Sequence, residues 1–503
     1  MDHDEPEISL AGTPRRPDWV PWLIALIVFA AYSVVSISYY VRLDPGSYDL
    51  AIFTEYVKQY AHLRAPVVDV RSPGLNLLGD HFHPIVALVA PFFRIAPTPV
   101  TLLVAQALLV AISVIPVSRA ATAKLGTTAG RVIAVAYGFS WGLQWMIDFD
   151  FHELAFAVPL LAFSLSALVR GRTRAAAAWA LPLVFVKEDQ GFTVAAIGVV
   201  ILINAWRARA RAARESVPES SPPSLPAKTR DARAGLFLVL WGVAWSAVSI
   251  EVIIPFFNPD HHYDYWSEGG VLGGGGRNSI TVLLTQLAHA YPQKLGTLAL
   301  ILLPVVFLAL RSPLVLVAVP SVVLRFLNTD SSYWGLHYHY NAPLMPIVFI
   351  AAIDALARIQ AARRTTGPAR RSLAMATVRY SPALMLAIAA GLAFWGPLKH
   401  LWQPQTYTIS QHVRDEDAAV AKVPDGATVE ATLTVLASLA ARTDTFWTGN
   451  PGGPAAEYIV FDNAKSIDNP KPGNVQRWVE HRHRGVRYRK IYSEDDVYVF
   501  RRS

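Results

Sequence analysis

Apolar stretches of roughly 20 residues, each long enough to cross a bilayer as a helix, recur along about the first four-fifths of the chain. Across 503 residues, 53% are hydrophobic and only 16% charged, and the mean hydropathy is +0.32. That is more apolar residue than a soluble core needs, so the chain reads as a polytopic α-helical membrane protein. Many of its Trp and Tyr residues, among them Trp19, Trp22, Tyr39, Tyr40, Trp141 and Trp145, sit near stretch ends, where amphipathic rings favour the lipid interface. Cysteine is absent, which excludes disulfides, thiolate metal sites and cysteine nucleophiles.

The formal net charge of +8 would suit a nucleic-acid partner, but the basic residues concentrate in short loops beside the apolar stretches. That is the positive-inside pattern, and no nucleic-acid partner is expected. Spans at about 19–40, 98–118, 131–147, 154–170, 175–187, 190–206, 235–256, 294–310, 313–327, 342–357 and 380–398 make about eleven transmembrane helices. With Arg15 and Arg16 in the cytoplasm, the inner loops collect Arg119, Lys124 and Arg131, then Arg170, Arg172 and Arg174, then Arg207 to Arg233, then Arg311, then Arg358 to Arg379. The first span is long and no small-residue cleavage site follows it, so it is expected to stay in the protein.

Residues 1–18 read as a cytoplasmic tail and 19–398 as the transmembrane module. Within the module, 41–97 form a first outer loop, whose segment PIVALVAPFFRIA (84–96) is apolar but short and is expected to lie in the interface. The segment 207–234, rich in Arg, Pro, Ser and Ala, is expected to be a disordered cytoplasmic linker. Residues 257–293 form a further outer loop. From about residue 399 the runs ATVEATLTVLASLA, AEYIVFDNA and DVYVFRRS alternate with Pro, Gly and Asn turns, which predicts a small extracytoplasmic α/β domain over 399–503.

Under this topology the polar clusters all fall on the outer side. The first, DPGSYDLAIFTEY, offers Asp44 in a turn and Asp49 at the start of an apolar helix, where it either caps the helix or acts as an acid or base. The second, GDHFHP, carries Asp80, His81 and His83, whose spacing suits hydrogen bonding, substrate contact or ligation of a divalent cation. The third and fourth are turns holding Asp148, Asp150, His152 and Glu153, and Lys187, Glu188 and Asp189. Charges at that depth are costly unless paired or wet, so they are either a salt-bridged tie between helix ends or functional groups. Lys187 suits a phosphate oxygen. Further on, the glycine run before Arg277 lacks the lysine of a phosphate-binding loop, which leaves a lid or a plain flexible segment, with Arg277 a candidate phosphate contact. Finally, YWGLHYHYNAP gathers His337, His339 and Tyr340, a surface suited to sugar rings or to interface anchoring.

The ordered set YDLAIF, LGDHFHP, DFHE, KED and HYHYNAP resembles a family of predicted bacterial membrane proteins, and the resemblance spans nearly all of the membrane part. In architecture that family is similar to the GT-C superfamily of integral membrane glycosyltransferases, which use polyprenyl-phosphate sugars. The resemblance implies inverting transfer on the outer face of the inner (plasma) membrane, with an acidic residue of the first outer loop as base. Asp49 best matches that role, Asp44 is the reserve, and Asp150 or Glu153 would supply a second acidic site.

The residues themselves fit such a reaction. No nucleotide-sugar motif is visible, so an activated sugar outside the cytoplasm would arrive on lipid. Its phosphate leaving group needs a cation, for which Lys187, Arg277 and Arg325 are available, and the acceptor hydroxyl needs a carboxylate. Expected partners are a polyprenyl-phosphate-linked donor, membrane lipids, and a cell-envelope glycan, glycolipid or protein acceptor. A divalent cation is a candidate cofactor. The competing expectation is a transporter or flippase, which would place ionisable groups near the bilayer midplane; only Glu251 and Asp354 fall inside spans, both towards ends.

Overall fold

The computed structural model describes residues 18–45, 47–214, 227–265, 279–363, 367–465 and 470–503. The tail up to residue 17, the glycine run and Arg277 lie outside them. The fold is mainly helical, with a small sheet near the C-terminal end. A first membrane-length helix, α1 (Val20–Val41), leads into the shorter α2 (Asp49–Ala61). Then come α3 (Pro99–Leu125), α4 (Gln190–Arg214), α5 (Ala227–Val248), α6 (Leu344–Ala362) and α7 (Pro368–Trp395). Among the described residues, six helices are long and apolar enough to cross a membrane, namely α1, α3, α4, α5 with the turns that prolong it to Phe257, α6 and α7.

The other expected spans are shorter or broken. Apolar helical segments run over Pro84–Ile95, Glu153–Val169, Thr173–Phe185 and Pro313–Phe326. The stretch 131–147 breaks between Gly138 and Trp141. In 294–310 the break falls at Val306 and Phe307, both left-handed with φ of 53° and 58°. Prolines account for much of this, because each lacks the N–H that continues an α-helix, and 3-10 turns open at Pro182, Pro304 and Pro313. The linker expected at 207–234 is also shorter than its composition suggested. Helix α4 runs on to Arg214 and α5 begins at Ala227, leaving 215–226 outside the described residues.

Four glycines bring α4 and α5 together. A methyl group at Gly191 would lie 2.2 Å from the Gly242 carbonyl oxygen, and one at Gly198 would lie 2.5 Å from that of Gly235. Small residues at matched positions let two helices approach closely where lipid supplies no hydrophobic drive. The approach also fixes the turn just before α4, since the Ser246 hydroxyl of α5 donates to the Glu188 carbonyl at 2.7 Å.

The C-terminal unit is an α/β fold, as its alternating pattern predicted. Its helices are α8 (Gln411–Val420), α9 (Leu433–Ala440) and α10 (Val475–Arg482). The strands β1 (Thr428–Ala431), β2 (Asp444–Trp447), β3 (Tyr458–Asp462), β4 (Tyr488–Glu494) and β5 (Val497–Arg502) form one sheet in the order β2-β1-β3-β5-β4. The first three are parallel; β5 runs antiparallel to β3 and β4 to β5. This unit sits directly on α2 and the loop that follows it. Trp447 stacks on Tyr48 with centroids 4.9 Å apart, Lys58 Nζ donates to the Thr443 carbonyl at 2.6 Å, and Asn450 Nδ2 donates to the carbonyls of Val70 and Arg71. Beneath them Glu55 is buried and accepts only the Val70 amide, leaving its other oxygen without a hydrogen bond.

Two outcomes follow. Gly242→Leu should prevent α4 and α5 from closing, because the clash is with backbone that cannot relax, and the yield of monodisperse protein in detergent should collapse, whereas Gly296→Leu, in open space, should be tolerated. Burial pushes Glu55 from an ordinary 4.5 up to about 8. A proton held more tightly in the fold contributes stability that is complete below about pH 4.5 and lost as pH rises through about 8. Melting curves of Glu55→Gln should therefore lose that decline between pH 5 and 8, and an unchanged profile would exclude Glu55 as its source.

Candidate functional site

The turn after α1 is built to present Asp49. The Ser47 hydroxyl accepts the Asp49 amide at 2.9 Å, and the Ser47 amide in turn donates to Asp150 Oδ2 at 3.0 Å. Asp150 takes a left-handed φ of 85°, which Asp tolerates better than most residues. Its turn is read by Gln106 of α3, which donates to the Met146 and Asp150 carbonyls and accepts the His152 amide. Asp150 thus holds two turns in register rather than facing the cavity.

Asp49 opens on a polar cavity of about 270 Å³ whose walls include Asp80, His81, His83, His152, Glu153, Lys187, His339 and Tyr340. Five stretches distant in sequence therefore meet in one space. A second cavity of about 110 Å³ lies against it, lined by Leu154, Phe192, Ile250, Leu324 and Pro343 together with Lys187, Glu188, Asp189 and Arg325. Its wall at Ile250 belongs to a π-helical turn, Ser249–Ile253. Lys187, His81, Tyr265, Tyr333 and Tyr340 line both cavities, so an apolar chamber and a polar one share a partition carrying an ammonium group.

That partition is held by buried charge. Lys187 Nζ lies 3.2 Å from Glu153 Oε1, and His152 Nδ1 lies 2.7 Å from Glu153 Oε2. His81 Nδ1 lies 2.8 Å from Glu188 Oε1, which also accepts the Tyr263 hydroxyl, and Glu188 Oε2 accepts the Phe82 amide. Asp80 takes Arg71 Nε at 3.1 Å and the Tyr265 hydroxyl at 3.0 Å. Burial alone would neutralise Lys187, but Glu153 and Glu188 outweigh it and keep the ammonium well above its ordinary value. The same balance, with His81 and Lys187 overcoming burial, holds Glu188 at about 2. Asp49 goes the other way: burial lifts its carboxyl, and the pulls of His152 and Lys187 fall short of reversing that.

The imidazoles divide by surroundings. His339 stacks on His152 with centroids 3.3 Å apart, and burial together with His152 drives its pKa well below the ordinary value. It is held neutral. Both of its ring nitrogens are buried without a hydrogen-bond partner. Ligand atoms of Asp49, His152 and His339 all lie within 4.8 Å of one another. With Nδ1 of His152 turned to Glu153, two imidazoles and one carboxylate are arranged with an orienting acid behind them, a donor set that fits a divalent cation. His83, packed against Phe53 and Tyr56, is lowered by burial to about 4.

Not every residue singled out in the sequence reaches these cavities. Asp44 is exposed and lies 3.9 Å from Arg42, and His337 packs edge-on against Trp145. Arg325 lines the apolar chamber, but its guanidinium already donates to the Tyr333 and Tyr340 carbonyls and to Asn341 Oδ1. It fixes the loop that carries His339. Asp354, one of the two carboxylates within spans, pairs with Arg358 and the Ser312 hydroxyl. Conversely, Arg71, Tyr263, Tyr265 and Tyr333 shape the cavities without having been singled out. The two loop tyrosines lie in DHHYDYW, and their spacing of two was the available signal.

Comparison with known proteins places the chain. Residues 39–499 match the family model described as "Predicted membrane protein (DUF2079)", and the chain belongs to that family. No curated protein matches it. Among solved structures it is similar to ArnT from Cupriavidus metallidurans bound to undecaprenyl phosphate, at 13% identity and a TM-score of 0.47, over 94% of this chain and 97% of that one. It is also similar to the oligosaccharyltransferase of Archaeoglobus fulgidus in its apo form, at 11% identity and a TM-score of 0.42, over 89% of this chain and 70% of that one.

Removing one member of the Glu153–Lys187 pair leaves the other charge buried and uncompensated, at a cost of roughly 3–5 kcal/mol. Lys187→Met should therefore lower the melting temperature sharply, and adding Glu153→Gln in the same chain should recover part of the loss. If the double variant melts below the single one, the pair is not what holds the partition.

Proposed function

We propose that this DUF2079 protein is a multi-pass glycosyltransferase of the inner (plasma) membrane. It would transfer a sugar from a polyprenyl-phosphate donor to a cell-envelope glycan, glycolipid or protein acceptor on the extracytoplasmic side. The observation that carries the reading is the shared partition. An apolar chamber between helices suits a lipid tail, a polar chamber suits a sugar and an acceptor hydroxyl, and Lys187 stands where the phosphate joining them would lie. Nothing about this layout requires a nucleotide.

The chemistry follows from the groups present. With the sugar in the polar chamber and its phosphate at Lys187, Asp49 faces the acceptor side. Its raised pKa improves it as a base. Asp49 takes the acceptor proton as the acceptor oxygen attacks the anomeric carbon from the face opposite the phosphate. The bond from that carbon to the phosphate oxygen breaks, and its electron pair leaves with the lipid phosphate beside the Lys187 ammonium, giving inversion. Glu153 keeps Lys187 charged, and Glu188 holds His81, stacked on Tyr265, in the wall the two chambers share. Asp49, His152 and His339 could also hold a divalent cation, which would supply positive charge in the polar chamber and keep Asp49 in its anionic form.

Arg325 enters through position rather than contact. By gripping the carbonyls of Tyr333 and Tyr340 it keeps the aromatic loop against both chambers. A flippase would need an ionisable path across the bilayer. Asp354 lies near the basic end of α6, and its ion pair with Arg358 gives it a structural duty.

The test is transfer by purified protein in lipid, offered polyprenyl-phosphate sugars and membrane-fraction acceptors. Asp49→Asn should lower turnover by at least a hundredfold with donor binding retained, while Lys187→Gln with Glu153→Gln should weaken donor binding itself. Full transfer by Asp49→Asn would remove it as the base. Release of sugar-lipid to the opposite leaflet without transfer would favour the flippase.

A further inference from the structure

A second group of ligating side chains lies in the C-terminal unit, apart from both chambers. His412 and Glu416 sit four residues apart on α8, which puts them on one face of the helix. Asp462 is the last residue of β3. In this sheet β2 lies on one side of β1 and β3 on the other, so the carboxyl ends of β1 and β3 flank the point where the winding reverses, the usual place for a ligand in such a fold.

The three side chains converge there. His412 Nε2 lies 3.3 Å from Asp462 Oδ1 and 3.9 Å from Glu416 Oε2, and ligand atoms of all three fall within 4.8 Å of one another. Glu416 is wholly buried, and its Oε1 has no hydrogen-bond partner. On the far side of the ring, Asp495 Oδ2 lies 2.9 Å from His412 Nδ1, and a proton held between those two atoms leaves the Nε2 electron pair for a ligand. That is the orienting contact characteristic of a metal-bound histidine. Asp462 is itself oriented, Oδ1 accepting the amides of Ala464 and Lys465 and Oδ2 the Thr434 hydroxyl.

Charge points the same way. Lys465 Nζ lies 3.3 Å from Glu416 Oε2 and, among the described residues, is the one cation in the group besides the histidine. Asp495 is exposed, but Glu416 and Asp462 are buried, and with a neutral imidazole these two carboxylates exceed Lys465 by one charge, which is costly in a buried setting. We propose that His412, Glu416 and Asp462 bind a first-row divalent cation, with Asp495 behind the histidine. One nitrogen and two carboxylate donors suit Zn²⁺ or Mn²⁺ better than Ca²⁺ or Mg²⁺.

Bound there, the cation joins α8 to β3 and to the turn between β4 and β5. Lys465 extends the link, since its Nζ also lies 3.4 Å from the carbonyl oxygen of Leu43, in the turn that precedes Asp49. The site is thereby a clasp between the C-terminal unit and the loop beneath it.

The experiment uses the full chain in detergent, stripped with chelator and carrying His339→Ala so that the other cluster cannot ligate. Titration with Zn²⁺ should show one ion per chain, with Mn²⁺ competing. Glu416→Gln, which keeps the shape, should weaken binding at least tenfold, as should His412→Ala if it folds. Lys465→Met separates this site from a simple ion-pair network: removing the competing ammonium should leave Zn²⁺ affinity equal or higher, while a network without metal would only lose stability. Absence of stoichiometric Zn²⁺ and Mn²⁺ binding in the His339→Ala chain overturns the proposal, and so does affinity unchanged by Glu416→Gln.

Discussion

One buried carboxylate organises the centre of this protein. Glu153 meets His152 through one oxygen and Lys187 through the other, and neither partner could stay in its place without it. An unpaired ammonium at that depth would lose its proton or draw in water, and the wall between the two chambers would open. The requirement reaches far from the site. Lys187 stands in the turn just before α4, and α4 is located by four glycines, two on each helix, that let it and α5 approach closely. A packing detail between helices thus fixes where a charge sits.

The local signals in the sequence were strong enough to show which residues matter and too short to show how they meet. YDLAIF, GDHFHP, DFDFHE and KEDQ stood out because charge beside apolar spans is expensive, and the fold brings Asp49, Asp80, His152, Glu153 and Lys187 around one space. What joins them is long-range. Gln106 reads a turn some forty residues away, and Tyr265 reaches Asp80 across 185 positions, pairings that no periodicity encodes. Asp44 stood in reserve behind Asp49, and Asp150 was a candidate for a second acidic site. Only backbone geometry separates them, one turned to solvent, one consumed in holding Ser47.

Span counting met a similar limit. Hydropathy registers apolar length, and by that measure about eleven segments qualify. Whether a segment runs as one continuous helix depends on single residues, on Pro182, Pro304 and Pro313 and on the left-handed pair Val306 and Phe307. The C-terminal unit was easier to read, since short β-branched runs between turns describe a sheet closely. Its strand order was not legible, and neither was its seat on α2, which relies on carbonyls and on one aromatic stack.

The partition at Lys187 has a further physical consequence. A charge lying on the boundary between a wet compartment and a dry one does not act equally in both directions. Towards the polar chamber, polar groups and water screen it; towards the apolar chamber less intervenes, and the Lys187–Glu153 pair acts there as a dipole felt at short range. Glu188 and Asp189 line that same chamber, so an anion entering it gains from the ammonium only where it reaches the ammonium itself.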